Sequence, residues 1–427
     1  MSSAAWHRLF SVGLLLLAAS VPLSKSASNV LLVLLGAAVP LRALRDLEFR
    51  AAARRCLRQP LTVALSLYCL VAYAGIAHTT SAAEGFSVAN KFVSMPALYL
   101  LVSLLLQADP DEGARSRRAI SLLLSFLAGL TALNLIGVAT FLGLLGGEPF
   151  ALPLAPLHLH HIWYSNLNAL GLYTAAALLL FARRGATAVR NLFLGLFLPL
   201  SAACILLSTS RTAWVSVALT AAVLAAVLIR SKKAVVLVVL LALLGAAAAY
   251  RFVPLVRDRV DQATGDIALY GENKKAESSV GGRILMWRAA LRLYSWHPYV
   301  GVGTGDFERS MKVLRRSRLV PAYLLKFNQP HNMYLFAMAT NGTAGLAALL
   351  YIFYRALRTA VPLLRADGEG RLFGLLAVAA VVHFMIAGCF DSFFNIQVLR
   401  YAFILIMGVC LRGGAGGAGA PRQCPPR

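Results

Sequence analysis

Acidic residues are scarce in this 427-residue chain: 17 Asp and Glu stand against 41 Lys and Arg, and charged residues of both signs make up only 14%. So little charge cannot cover a soluble domain, and 59% hydrophobic residues with a mean hydropathy of +0.71 exclude that class. Cysteine is also sparse. Cys56, Cys69, Cys204, Cys389, Cys410 and Cys424 lie in or beside apolar runs, which excludes a disulfide framework, and no Cys-x-x-Cys pair offers a zinc site. Internal repeats are absent. The formal charge of +24 would suggest nucleic acid in a soluble chain. Here Lys and Arg must sit in loops between apolar runs, where membrane orientation and anionic headgroups account for them, so a nucleic-acid partner is not expected.

At about 20 residues per crossing, apolar runs fall near 9–23, 27–41, 61–78, 92–107, 119–145, 162–182, 191–208, 212–229, 234–250, 332–354, 372–389 and 393–411. Lys and Arg cluster in every second gap: Arg42 to Arg58, Arg115 to Arg118, Arg183 to Arg190, Arg230 to Lys233, Arg355 to Arg371 and from Arg412 onward. The intervening gaps carry little charge, so the positive-inside rule puts both termini in the cytoplasm. Ala18-Ala19-Ser20 also resembles a signal cleavage site, but Lys25 and the even span count favour a retained anchor. The predicted fold class is an all-α polytopic membrane protein of about twelve transmembrane helices, with one long external loop containing short helices between spans nine and ten. Residues 1–250 hold spans one to nine, 251–331 the loop and 332–411 the last three spans. Residues 412–427, rich in Gly, Pro and Ala, read as a disordered tail.

The loop is where the charge rule breaks, since fourteen Lys and Arg lie on the outer side against seven Asp and Glu. A long segment is translocated regardless of charge, and its excess suits a multiply anionic ligand, although a solvated surface near lipid phosphates fits any one cation. Arg283 to Tyr294 has helical character, with Trp287, Ala290 and Tyr294 within about 40° of Arg283 on one face, and Arg288 and Arg292 on the other. Trp296 to Gly305 reads as a tight turn, because it lacks the strand-to-helix setting of a phosphate loop. His331 is expected at the outer N-terminus of a span, where the positive end of the helix dipole favours a neutral imidazole able to take a proton. Arg211 follows Ser208, Thr209 and Ser210, all plausible helix caps, and a cation at a helix N-terminus points to a shared anion. A snorkelling arginine and a capping or interfacial histidine remain open for each residue taken singly. Asp258 and Asp261 read as partners of Arg257 and Arg259. His158, His160 and His161 read as interfacial residues, with Glu148 the one nearby acid against a metal site. Arg400 stands out as a charge deep in a late span.

Ser208-Thr209-Ser210-Arg211, Gly282-Arg283-Ile284-Leu285-Met286-Trp287, His297-Pro298-Tyr299-Val300-Gly301-Val302-Gly303 and His331-Asn332 together resemble the O-antigen ligase and polymerase superfamily. The similarity runs over about residues 160–395 and is strongest over 281–345. The resemblance implies transfer of a glycan from an undecaprenyl-diphosphate carrier at the periplasmic face of the bacterial inner membrane. A ligase uses a sugar hydroxyl of lipid A-core as acceptor, a polymerase another lipid-linked glycan, and related enzymes a protein side chain. The span count and the single late loop resemble the ligase branch. The resemblance further implies catalytic roles for Arg211, Arg283 and His331, and matches Arg288 more weakly; Arg288, Arg292, Asn332 and Asn168 are read toward substrate, and Asn168 and Asp391 fall where the superfamily tends to be polar. A diphosphate leaves readily, so two arginines and a base suffice in principle. No Asp-x-Asp pair occurs in the outward-facing sequence, and neither metal nor cofactor is expected. A lipid-linked glycan transporter is the alternative of another class, and would call for intramembrane charges or repeated halves.

Overall fold

The computed structural model describes residues 3–109, 111–146, 148–182, 186–229, 231–271 and 279–413. The expected tail therefore lies almost wholly outside the described residues, as do Lys274, Lys275, Arg183 and Arg230. In chain order, α1 (Ser3–Leu23), α2 (Lys25–Arg45), α3 (Leu47–Leu57), α4 (Pro60–Ala74), α5 (Ala82–Gln107), α6 (Glu112–Phe141), α7 (His161–Phe181), α8 (Ala188–Leu207), α9 (Arg211–Leu228) and α10 (Lys232–Phe252) lead to the loop helices. These are α11 (Pro254–Gly271), α12 (Ser279–Trp296) and α13 (Phe307–Arg316), followed by α14 (Met333–Leu363), α15 (Glu369–Ala387) and α16 (Gln397–Gly413). No strand occurs among the described residues.

Each of the twelve predicted spans falls on one helix, and ten are long and apolar enough to cross a membrane. The other two, α7 and α16, are interior. Residues 398–411 of α16 are all buried, and α7 buries Ser165, Asn166, Asn168 and Thr174 among its neighbours. Helices surrounded by protein need no lipid-matching surface, which is why their hydropathy or length falls short. At the opposite extreme α10 has no buried residue, as expected of a helix facing lipid all round. The amphipathic α3 was not expected within the basic gap. The loop helices α11 and α12 run to 18 residues each, longer than the short helices predicted.

The bundle core stacks Phe353, Phe384, Phe393, Phe394 and Phe403, all at most 2% exposed. Where hydrocarbon surrounds the protein, close packing rather than water exclusion holds helices together. Gly129 is a case: a Cβ there would lie 2.0 Å from the Ala19 carbonyl oxygen, so its absence sets the α1–α6 approach.

The gaps sort into two ends. At one end Arg118 pairs with Asp109 at 2.8 Å, Arg42 with Asp46 at 2.6 Å, and Ser116 bonds Glu369. At the other end Lys25 lies over Trp163, Glu84 pairs with Arg309, and Asp306 accepts from Thr79 Oγ1 at 2.7 Å and the Thr80 amide at 2.6 Å. The gaps holding Arg118 and Glu369 thus meet at one end, and the loop packs against the gap holding Thr79 to Glu84 at the other.

The turn at Trp296 to Gly305 is a wedge. Gly301, Gly303 and Gly305 have φ of +71°, +107° and +98°, and a Cβ on Gly301 would meet the Thr340 backbone at 2.3 Å. Val302 and Gly303 amides donate to the Ala339 and Thr340 carbonyls, while Thr343 donates to Pro298, across a break in α14 at Gly342 (φ +64°). This main-chain lock ties α12 to α14, and thereby Arg283 to His331.

Candidate functional site

The start of α14 is built by its cap. Asn332 accepts from the amides of Tyr334 (3.0 Å) and Leu335 (2.9 Å) and donates to the Cys389 carbonyl at 3.0 Å, while the Met333 amide donates to Gly388 at 2.7 Å. These bonds grip the segment from the α15–α16 turn and hold His331, one residue before the cap, at φ +50°, a left-handed conformation costly for a residue with a side chain. The helix therefore begins beyond His331. Its imidazole is answered by a carboxylate rather than by the helix end: Nδ1 lies 3.3 Å from Asp391 Oδ1.

Asp391 is 1% exposed and densely solvated by protein. Gln329 Nε2 (3.1 Å) and the Ser392 amide (2.8 Å) donate to Oδ1, and Trp163 Nε1 (3.2 Å) donates to Oδ2. The carboxylate so held engages Nδ1 of the imidazole and leaves Nε2 as the ring nitrogen with no bond to it. Phe327 meets the ring edge-on at 5.5 Å between centroids.

Arg283 faces this pair from α12. Burial lowers the pKa of its guanidinium; the Asp391 carboxylate opposes that shift and the positive charge of Arg211 adds to it, so the three groups share one field. The face read from the sequence is the packed one, with Ala290 buried and Trp287 and Tyr294 half-buried, whereas Arg288 and Arg292 are exposed on the opposite side. The indole Nε1 of Trp287 is buried with no hydrogen-bond partner among the described residues, a donor placed beside Arg283 on its face. Arg211 is the first residue of α9, whose cap is Ser210, accepting from the Ala213 amide. Thr209, at φ +52°, receives a 2.7 Å bond from Arg259, and Arg211 donates to the Arg259 carbonyl at 3.5 Å. Arg259 therefore docks α11 onto the turn that presents Arg211. It does not pair with Asp261, as read from the sequence; Asp261 accepts from Tyr250 at 2.8 Å.

The start of α7 closes the group. His161 shares a 2.9 Å bond with the Ser208 carbonyl, and burial holds His160 below the usual imidazole range, with Asp391 opposing and His331 and Arg283 reinforcing the shift. Three helix N-termini, of α7, α9 and α14, thus meet two arginines, an arrangement suited to an anion. Nothing is described of the His158 side chain.

Asn168 stands apart from this group. It is fully buried between α6, α7 and α8, accepting from Asn134 (2.8 Å) and Ser201 (3.0 Å) and donating to the Tyr164 carbonyl (3.1 Å). Its side chain is spent within the bundle, as that of Asn332 is spent on the cap. Asn168→Ala would orphan the Asn134 amide, while Ser201 keeps its 3.0 Å bond to the residue-168 carbonyl, and is expected to cost about 1–3 kcal/mol, read as a lower melting temperature in detergent with unchanged activity per folded molecule. Arg400 is likewise not mid-span, but in the first turn of α16 at the loop-bearing end.

Sequence reasoning singled out Arg211, Arg283 and His331 as candidates. It noted Asp391 only as polar, read Arg259 as an Asp partner, and did not single out Trp163 or Gln329. The available signal was that Asp391 is the one charged residue in the short gap between the last two spans.

A 97-residue stretch is 29% identical to an uncharacterised protein of Haemophilus influenzae, covering 23% of this chain and 24% of that protein, so the chain spans about a quarter of the relative's length. Residues 194–350 match the family described as O-antigen ligase, a stretch holding Arg211, Arg283 and His331 but neither Trp163 nor Asp391. On that match residues 194–350 of the chain are similar to the O-antigen ligase family.

Proposed function

We propose that the protein is an O-antigen ligase, moving a glycan from undecaprenyl diphosphate to a sugar hydroxyl of lipid A-core at the periplasmic face of the inner membrane. The observation that carries this reading is the His331–Asp391 pair set in one field with Arg283 and Arg211. In the reaction the acceptor hydroxyl oxygen bonds to the anomeric carbon as the bond from that carbon to the diphosphate oxygen breaks. The hydroxyl proton passes to His331 Nε2, Asp391 stabilises the imidazolium, and undecaprenyl diphosphate leaves with its charge held by the two guanidinium groups. A single displacement inverts the anomeric centre. Asp391, the carboxylate nearest the base, is enclosed by four donors and is not presented as a nucleophile, which favours one step over two.

Lipopolysaccharide profiling after deletion tests the assignment. Loss of a ligase leaves lipid A-core without long chains while carrier-linked polymer accumulates; core capped by a single repeat would identify a polymerase instead. Sidedness is tested separately. Alkaline phosphatase fused near Gly305 is expected to be active and near Arg118 inactive, and activity at Arg118 would invert the proposed orientation.

A further inference from the structure

A cleft of about 500 Å³ opens at the loop-bearing end, lined by Lys25, Lys91, Trp163, Gln329 and Arg400 from the membrane helices and the loop. Arg400 is 3% exposed. Its Nε donates to Ser94 Oγ at 3.1 Å and Nη1 to the Phe394 carbonyl at 2.5 Å, yet no carboxylate pairs with it among the described residues. A buried guanidinium without a counter-charge is costly, and more so in the first turn of a helix, where the dipole opposes it. The two acids in the cleft wall do not answer it: Glu84 pairs with Arg309 at 3.4 Å and Glu308 with Lys312 at 3.1 Å. Lys25 and Lys91 are exposed and paired with no acid among the described residues, Lys25 lying 5.5 Å from the centre of the Trp163 ring. Three cations therefore face one polar cleft with no acid of their own, the setting of an anion site.

The cleft is distinct from the Arg211–Arg283 cluster and meets the catalytic group through two residues. Trp163 and Gln329 line it and also donate to Asp391, and the buried Gln329 Oε1 has no hydrogen-bond partner among the described residues. If the donor diphosphate is held by Arg211 and Arg283, the molecule reaching His331 through this second cationic cleft is the one whose hydroxyl is activated. We infer that the cleft binds the acceptor through a phosphate group carried on its saccharide, with Arg400 and Lys91 as the principal contacts. This rests on the transferase reading.

The test measures binding rather than turnover, with full-length protein in detergent and lipid-free core oligosaccharide, phosphorylated or phosphatase-treated. Wild type is expected to bind the phosphorylated form about tenfold more tightly. Lys91→Gln and Arg400→Gln are each expected to lose about that factor toward the phosphorylated form only, with affinity for the undecaprenyl-diphosphate donor unchanged. Lys91 is exposed, so its variant reports even if Arg400→Gln misfolds. Equal wild-type affinity for the two oligosaccharides, or weakened donor binding in Lys91→Gln, would overturn the inference. So would retention of phosphatidylglycerol by wild type but not by Lys91→Gln with saccharide affinity unaltered, which would give the cleft to lipid headgroups. Transfer without phosphate-dependent binding defeats the cleft assignment alone; phosphate-dependent binding without any transfer defeats the ligase reading and leaves the anion site.

Discussion

His331→Ala is expected to lower glycan transfer by about 10²-fold or more, the usual scale for a positioned base, while the protein remains in the membrane at wild-type amounts. The side chain is 24% exposed and touches Phe327 and Asp391, so its removal opens no large core cavity. The backbone around it is fixed by Asn332 and by the Gly388 carbonyl, neither of which the substitution disturbs. Carrier-lipid binding should survive, since the proposed mechanism gives that role to the arginines. Asp391→Asn is the companion variant. It keeps the shape and offers an amide that can still meet Nδ1, but removes the charge that stabilises the imidazolium, so activity should fall with His331 still in place. The assay incubates undecaprenyl-diphosphate glycan with lipid A-core in detergent and excess EDTA. Normal transfer by His331→Ala would remove this residue from the mechanism. Loss of wild-type transfer in EDTA, restored by a divalent ion, would overturn a metal-free reaction.

The reach of the sequence follows from which interactions are local. Apolar runs and basic gaps are written residue by residue, so all twelve spans fall on helices; Ser210 as a cap and the packed face of Arg283 are likewise local patterns. Asp391 is another matter. Its role depends on Trp163 and on Gln329 and His331, drawn from two distant parts of the chain, and no local pattern states that they meet. The placement of His331 one residue before its helix shows the same limit, because the cap is chosen by Asn332 together with the distant Cys389 and Gly388 carbonyls. Asn168 marks the reverse case: polarity in a span reads as function, while the bundle uses it to join α6, α7 and α8.

Arg283→Lys is expected to cost about 10²-fold or more in transfer, on the scale of losing one preorganised donor at a developing anion, although the charge is kept. A guanidinium offers a planar fork that can bridge two phosphate oxygens, whereas an ammonium is a shorter-reaching point charge with stronger hydration. Arg283 is held by the packed face of α12 and by the glycine wedge that fixes α12 against α14, so a lysine there cannot be carried to the diphosphate by a shift of its helix. Arg211→Lys should fail as well. Its backbone is set by the Ser210 cap and its guanidinium already touches the Arg259 carbonyl, which positions the fork rather than the charge. Arg288→Lys, on the exposed side of α12, should be much milder. Complementation at matched membrane levels, followed by donor titration of the purified variants, separates the cases. Full activity of either Arg283→Lys or Arg211→Lys would return that arginine to a structural role and leave the departing diphosphate without its proposed clamp.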